Sequence, residues 1–286
     1  MLKEDFIEKI SSSHWDKASL IGRGCYGKVY LGVPNKPYLP NVAIKSAPYQ
    51  TAYSLIREKL ILEKFIGCPE IVQYVGEALT AKTDDNIVYD LILEYAAGGN
   101  LAHLIKARGR LLEREAKVYL RTILRGLCGI HARGYVHCDL KPENVLVFPS
   151  SDRKRMKLKI ADFGLSRRYF GKKLEEKNNF KFRGTPKYMS PESLIGKIQP
   201  SIDIWSLGCV LVNMISGKCV WNDCASREEL VLKLMFEMKA PNIPEELSDQ
   251  GKDFLQKCFE RNPKQRCTWR GVSPFITPPL SPSSIS

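Results

Sequence analysis

The chain has 286 residues, 44% hydrophobic and 26% charged, with a formal net charge of +13. That length and composition fit one large domain or two lobes, and they exclude a disordered chain. The positive charge admits nucleic acid, anionic lipid or an acidic protein as partner, or simply a solvated basic surface. No zinc-finger, basic-zipper or RNP-type motif supports specific nucleic-acid binding.

Nine cysteines are scattered without a C-x-x-C pair. An odd count at irregular spacing argues against a disulfide framework or zinc site and for a reducing compartment, the cytoplasm with access to the nucleus. The start, "MLKEDFIEKI", has no signal-peptide apolar region, and Leu2 excludes N-myristoylation. The longest near-apolar run, "IWSLGCVLVNMI", falls short of the roughly 20 residues a membrane span needs, so it reads as a buried helix.

In chain order, "LIGRGCYGKVYLG", "NVAIKSA" and "NIVYDLILEY" read as strands, with "AYSLIREKLILEKF" as a helix between them. Gly98-Gly99 then breaks the chain, and the pattern turns helical. Ala116, Leu120, Ile123, Leu127 and Ile130 step by four and three, one apolar helix face that ends near Gly134. "DIWSLGCVLVNMISG" is apolar nearly all round and should be buried. The expected class is therefore α+β, a β-rich N-lobe with one helix followed by a mainly helical C-lobe. The end, "TPPLSPSSIS", has the composition of a disordered tail.

Residues 22–29, "GRGCYGKV", follow G-x-G-x-x-G-x-V. A Rossmann site would need a helix next, but Lys28-Val29-Tyr30-Leu31 continues as strand. A glycine hairpin suits a flap over ATP phosphates, because glycine lets backbone N–H groups approach anionic oxygens. "VAIK" places Lys45 in an apolar strand, where it needs a partner; Glu58 in the predicted helix can supply it, with Lys45 on the α/β-phosphates. "HCDLKPEN" at 137–144 supplies His137, Asp139, Lys141 and Asn144, and "DFG" supplies Asp162. Asp139 can accept a hydroxyl proton, while Asn144 and Asp162 can ligate Mg²⁺ and neutralise charge on a transferring phosphoryl group. "SPE" at 190–192 offers Glu192 as a partner for Arg266.

The order and spacing of these motifs resemble the eukaryotic protein kinase domain over about residues 14–275, with an N-lobe over about 14–95, a C-lobe over about 96–275 and the tail at 276–286. "REKLILEKFIGCPEIVQYVGE", "HCDLKPEN" and "GTPKYMSPES" look like the plant MEKK-like mitogen-activated protein kinase kinase kinases. The resemblance implies a serine/threonine kinase using ATP and Mg²⁺, with MAP kinase kinases as substrates. It places Ile21, Gly22, Gly24 and Gly27 over ATP, Leu93 at the gatekeeper position, and Glu94 and Ala96 in a hinge facing adenine. Val29, Ala43 and Leu146 would sandwich the adenine ring, or serve only as core. Thr185 would hydrogen-bond near Asp139 and help select a Ser/Thr hydroxyl; Lys141 is the serine/threonine pattern. Asp203 would hold the catalytic-loop backbone, or act as an ordinary helix N-cap. The alternatives are a Ser/Thr kinase outside the MAP kinase cascade and a silent kinase-fold scaffold. Against the scaffold, Lys45, Asp139, Asn144 and Asp162 are all present.

Kinases commonly carry arginine where this chain has Cys138, and that arginine awaits an activation-loop phosphate. Cysteine is neutral and a weak donor, so the phosphate loses its partner. Between Asp162 and Glu192 the hydroxyl residues are Ser166, Tyr169, Thr185, Tyr188 and Ser190, and "FGKKLEEKNNFKFRG" has none. The expectation is a loop ordered without phosphorylation, aided by Lys172 and Lys173 against Glu175 and Glu176. A redox role for Cys138 is the rival, although adjacent Asp139 disfavours the thiolate. Ser273-Pro274, Thr277-Pro278 and Ser281-Pro282 read as proline-directed phosphosites or as tail composition. About 14 residues before the domain and about 11 after it leave no length for a regulatory domain within this sequence.

Overall fold

A computed structural model describes residues 14–24, 27–81, 87–149, 156–169, 184–266 and 275. The charged segment 172–176 and the Ser/Thr-Pro positions at 273, 277 and 281 lie outside those residues. Two compact units emerge, residues 1–97 with 161–164, and residues 98–160 with 165–286.

The first unit is built on an antiparallel sheet of five strands in the order β1-β2-β3-β5-β4. These are β1 (Trp15–Gly24), β2 (Gly27–Pro34), β3 (Val42–Pro48), β4 (Tyr74–Ala81) and β5 (Ile87–Glu94). Trp15, Val42, Ile44 and Ile92 pack one core, with Leu39 and Val75 against it. The buried Asp90 is tolerated on β5 because the Ser46 hydroxyl (2.5 Å) and Lys17 ammonium (2.7 Å) both donate to it. Helix α1 (Tyr53–Leu62) buries Leu55, Glu58, Ile61 and Leu62, one stripe at helical spacing. The expected helix over 52–65 ends instead in a 3₁₀ turn, Glu63–Phe65.

The second unit contains α2 (Leu101–Arg108), α3 (Glu113–Ala132), β6 (Tyr135–Val136), β7 (Val145–Pro149), β8 (Met156–Ile160), β9 (Arg167–Arg168), α4 (Pro191–Leu194), α5 (Ser201–Ser216), α6 (Arg227–Val231) and α7 (Asp249–Cys258). The predicted apolar face of α3 is the buried one: Ala116, Leu120, Ile123, Leu127 and Ile130 are each at most 1% exposed. Helix α5 is buried from Ser201 to Ile215, as its all-round hydrophobicity requires. Gly217 ends it in the left-handed region (φ 70), and a Cβ there would fall 1.8 Å from the Gly109 carbonyl oxygen, so no larger residue fits. Between α3 and the β7–β8 hairpin lies the segment 137–144, anchored before it by β6 pairing with β9. Among the described residues no helix is long and apolar enough to cross a membrane.

Candidate active site

In the first unit, β3 carries Lys45 and α1 carries Glu58. The Lys45 ammonium lies 2.7 and 2.9 Å from the two carboxylate oxygens of Glu58 and 3.3 Å from Asp162. Burial alone would lower the Lys45 pKa, but the Asp162 and Glu58 carboxylates more than offset it and hold the ammonium well above its usual range. Glu58 is fully buried and also accepts the Phe163 N–H at 3.3 Å, tying the "DFG" segment to α1. Phe163 stacks on Phe65 at 5.6 Å, completing that anchorage. Asp162 itself sits at φ 66, a left-handed conformation that side chains rarely adopt. The tie to Glu58 and the Phe163–Phe65 stack hold that conformation in place.

The glycine hairpin joins β1 to β2, with Gly24 opposite Gly27 and Gly22 opposite Val29. Ile21 is 43% exposed beside it. Ala43 pairs with Leu93, and Val42 with Glu94, across the β3–β5 ladder. Leu93 is buried, and Glu94 accepts the Gln73 N–H at 2.8 Å. Ala96 follows the end of β5 and is half-buried. Leu146 belongs to the second unit, paired with Lys159 on β8 and bridged to Asn100.

In the second unit, Asp139 is 8% exposed and is the hub of a donor network. Thr185 donates its N–H and its hydroxyl to Asp139 Oδ1, both at 2.8 Å. Lys141 Nζ lies 2.8 Å from Asp139 Oδ2 and 2.6 Å from the Thr185 hydroxyl oxygen. Asn144 donates its side-chain N–H groups to the Asp139 carbonyl (2.8 Å) and to Oδ2 (3.1 Å). That use of the nitrogen leaves the Asn144 amide oxygen as an acceptor, or a ligand for a hard cation.

Asp203 has a different role from an N-cap. It is the third residue of α5, not the cap, and its carboxylate accepts the N–H groups of His137 (2.8 Å) and Cys138 (3.0 Å). It also lies 2.8 Å from His131 Nε2. Burial opposes its ionisation, yet His131, His137 and these N–H donors prevail and hold the carboxyl below its usual range. The reward is a fixed catalytic segment, in which Cys138 adopts φ 68. His131 escaped the sequence reading because nothing in its spacing marks it; only the fold brings it to Asp203.

Cys138 is partly buried, its thiol 3.5 Å from the Val136 carbonyl. A void of about 10 Å³, room for roughly one water, is lined by Cys138, Thr185 and Ser193 among others. Gly184 (φ 111) passes so close that a Cβ would lie 2.7 Å from the Cys138 carbonyl oxygen. Tyr188, three residues beyond Thr185, donates to Asn213 Oδ1 at 2.9 Å, a tie to α5 that the sequence did not disclose. Glu192 and Arg266 form the expected pair, bidentate at 2.5 and 3.1 Å and buried on both sides.

These groups fit ATP·Mg²⁺. In the first unit Asp162, whose side chain is 35% exposed, offers hard oxygens, and in the second the Asn144 amide oxygen does so; both are of the donor type that Mg²⁺ takes beside phosphate oxygens and water. Lys45, held protonated, supplies positive charge for the phosphates.

A protein kinase domain family model matches residues 15–274. The chain is 36% identical to mitogen-activated protein kinase kinase kinase 20 of Arabidopsis thaliana, over 89% of this chain and 75% of that protein. It is 31% identical to mitogen-activated protein kinase kinase kinase 17 of the same plant, over 95% of this chain and 73% of the relative. With mitogen-activated protein kinase kinase kinase A of Dictyostelium discoideum it shares 34% identity, over 91% of this chain but 27% of that longer protein. The α+β fold, the ordered motifs and the family match together place the chain in the protein kinase domain family.

Proposed function

We propose that this chain is a serine/threonine kinase of the MAP kinase kinase kinase type, transferring the ATP γ-phosphate to hydroxyls of MAP kinase kinases. The observation that carries the acceptor preference is the Asp139–Thr185–Lys141 network. Asp139 is the group that accepts the proton of the attacking hydroxyl, and Lys141 places a cation where negative charge develops. Thr185 fixes the position of the Asp139 carboxylate, so that a Ser or Thr acceptor meets a base that is already oriented. Bound ATP·Mg²⁺ supplies the transferable phosphoryl group; Lys45, Asn144 and Asp162 bind and orient it.

The names of the relatives support a place in the MAP kinase cascade. We further propose that phosphorylation of the activation loop is not needed, since Cys138 offers a loop phosphate no cation. The irregular spacing of the nine cysteines, none in a C-x-x-C pair, supports a reducing location, the cytoplasm with access to the nucleus. The test is a panel of catalytically dead MAP kinase kinases as acceptors. Phosphate on their activation-loop Ser/Thr residues is the expected result. Transfer only to generic substrates would move the chain outside the cascade, and no transfer at all would favour a scaffold.

A further inference from the structure

Among the described residues, four non-glycines have a positive φ: Cys138, Asp162, Trp221 and Met238. Two belong to the catalytic segment and the metal motif. The other two lie at a second place, a cavity of about 380 Å³ in the second unit. Trp221 lines it, and Met238 directly precedes the lining residues Lys239 and Ala240. The turn between, Leu232–Phe236, is π-helical. Such backbone irregularity persists where a site needs it, and the volume lies within the range of ligand pockets.

Chemistry in the walls narrows the occupant. Its apolar lining residues include Val212, Trp221, Ile243 and Pro244. Trp221 is only 8% exposed, and its indole N–H, closed off from solvent, has no acceptor among the described residues. Lys233 is neutralised by Asp223 (2.8 Å) and Glu229 (3.0 Å), Lys239 by Glu237 (2.7 Å) and Glu246 by Arg110 (3.3 Å). Lys218 is exposed and, among the described residues, is the wall ammonium without a carboxylate partner. The accessible uncompensated group of the cavity wall is therefore the Lys218 ammonium, which calls for an acidic partner. Apolar surface continues beside the lining residues in sequence, with Leu232, Phe236 and Met238 at 49%, 76% and 60% exposed. A small molecule would leave that surface bare, whereas a peptide can cover it.

We propose that this cavity docks a segment of a partner protein in which an aromatic or aliphatic side chain enters the cavity and a neighbouring Asp or Glu meets Lys218. The cavity is linked to the acceptor side of the site. Its wall residue Cys219 lies 3.6 Å from the Tyr188 hydroxyl, and Tyr188 closes the turn that begins at Thr185. Docking thus brings a protein substrate to the same unit that holds Asp139. The proposal rests on kinase activity but not on the identity of the substrate, and direct binding separates its failure from that of the cascade assignment.

The test uses the whole chain and an array of peptides of about twelve residues, each with a central Phe or Leu flanked by Asp or Glu, beside versions with Ala or Lys at those positions. Affinity is then measured by fluorescence anisotropy on wild type, Lys218→Glu and Ala240→Trp; both changed side chains are exposed, and the second fills the cavity. The acidic, anchored peptides should bind wild type, and each variant should weaken them by about tenfold or more. Appended to an acceptor peptide, a binding segment should lower its KM in wild type only, while transfer to the unextended acceptor stays unchanged in all three. Absence of any bound peptide, or equal binding by all three proteins, would overturn the proposal. Dimerisation of wild type that Ala240→Trp abolishes would also overturn it, by assigning the cavity to a second copy of this chain.

Discussion

Thr185 gives both of its donors, the backbone N–H and the hydroxyl, to one carboxylate oxygen of Asp139 at 2.8 Å each. The segment that follows the activation loop is therefore fastened to the catalytic base by its own side chain. Hydrogen bonds to charged groups contribute about 1.5–3 kcal/mol each. Thr185→Ala removes one donor and also the acceptor for Lys141. Transfer should fall about tenfold to a hundredfold, with most of the activity restored by Thr185→Ser. Steady-state kinetics on a Ser/Thr acceptor peptide checks this; equal loss in both variants would show that the hydroxyl is not the agent. Asp139→Asn should abolish transfer while leaving ATP affinity intact.

Glu58 anchors two things at once, the Lys45 ammonium and the Phe163 N–H. Glu58→Ala leaves a buried lysine with Asp162 as its remaining carboxylate partner among the described residues. Because a buried charge without its partner is costly, Lys45 should reorganise or lose its proton. kcat/KM for ATP should drop by about tenfold to a hundredfold, whereas Glu63→Ala on the adjacent 3₁₀ turn, whose pair with Lys59 is partly exposed, should change it little.

Asp203 predicts an acid limit. Its folded pKa lies below the unfolded value of about 3.9, so its stabilisation is fully present above that pH and is lost as the pH falls through the folded value. Urea midpoints should hold steady as pH is lowered to about 4 and then decline. In Asp203→Asn the protein should be weaker near neutrality and its decline below about pH 4 shallower; an unchanged acid limb would refute the assignment.

Arg266 and Glu192 form a buried bidentate pair, with the guanidinium also 5.1 Å from the Trp205 ring and donating to the Ser201 carbonyl at 2.9 Å. Removing one partner strands a charge. Arg266→Met alone should cost about 3–5 kcal/mol, and Arg266→Met with Glu192→Leu should recover part of it. Thermal unfolding of the three proteins measures the difference, and a double variant no better than the single would contradict this reading.

The sequence carried the catalytic residues because their chemistry is local. Asp139, Lys141 and Asn144 lie within six residues, and the helix faces of α3 and α5 follow directly from apolar spacing. What it did not carry are contacts made by distant chain segments. His131 reaches Asp203 across 72 positions, and Tyr188 reaches Asn213 from a turn with no periodicity. Strand β4, "YVGEALTA", was also missed, since glycine and threonine dilute any alternation and its place comes from pairing with β5. The cavity beside Trp221 was invisible for the same reason: its walls come from three separated stretches of chain.

The central claim is that Cys138 marks a kinase whose activation segment is ordered without a phosphate. Its most direct test is the initial rate of transfer to a dead MAP kinase kinase before and after exhaustive phosphatase treatment, with every phosphosite mapped by mass spectrometry. The account predicts rates equal within about twofold, since no charge-assisted contact of roughly 1.5–3 kcal/mol is lost. A tenfold or greater fall that tracks with removal of a phosphate between residues 163 and 184 would contradict it.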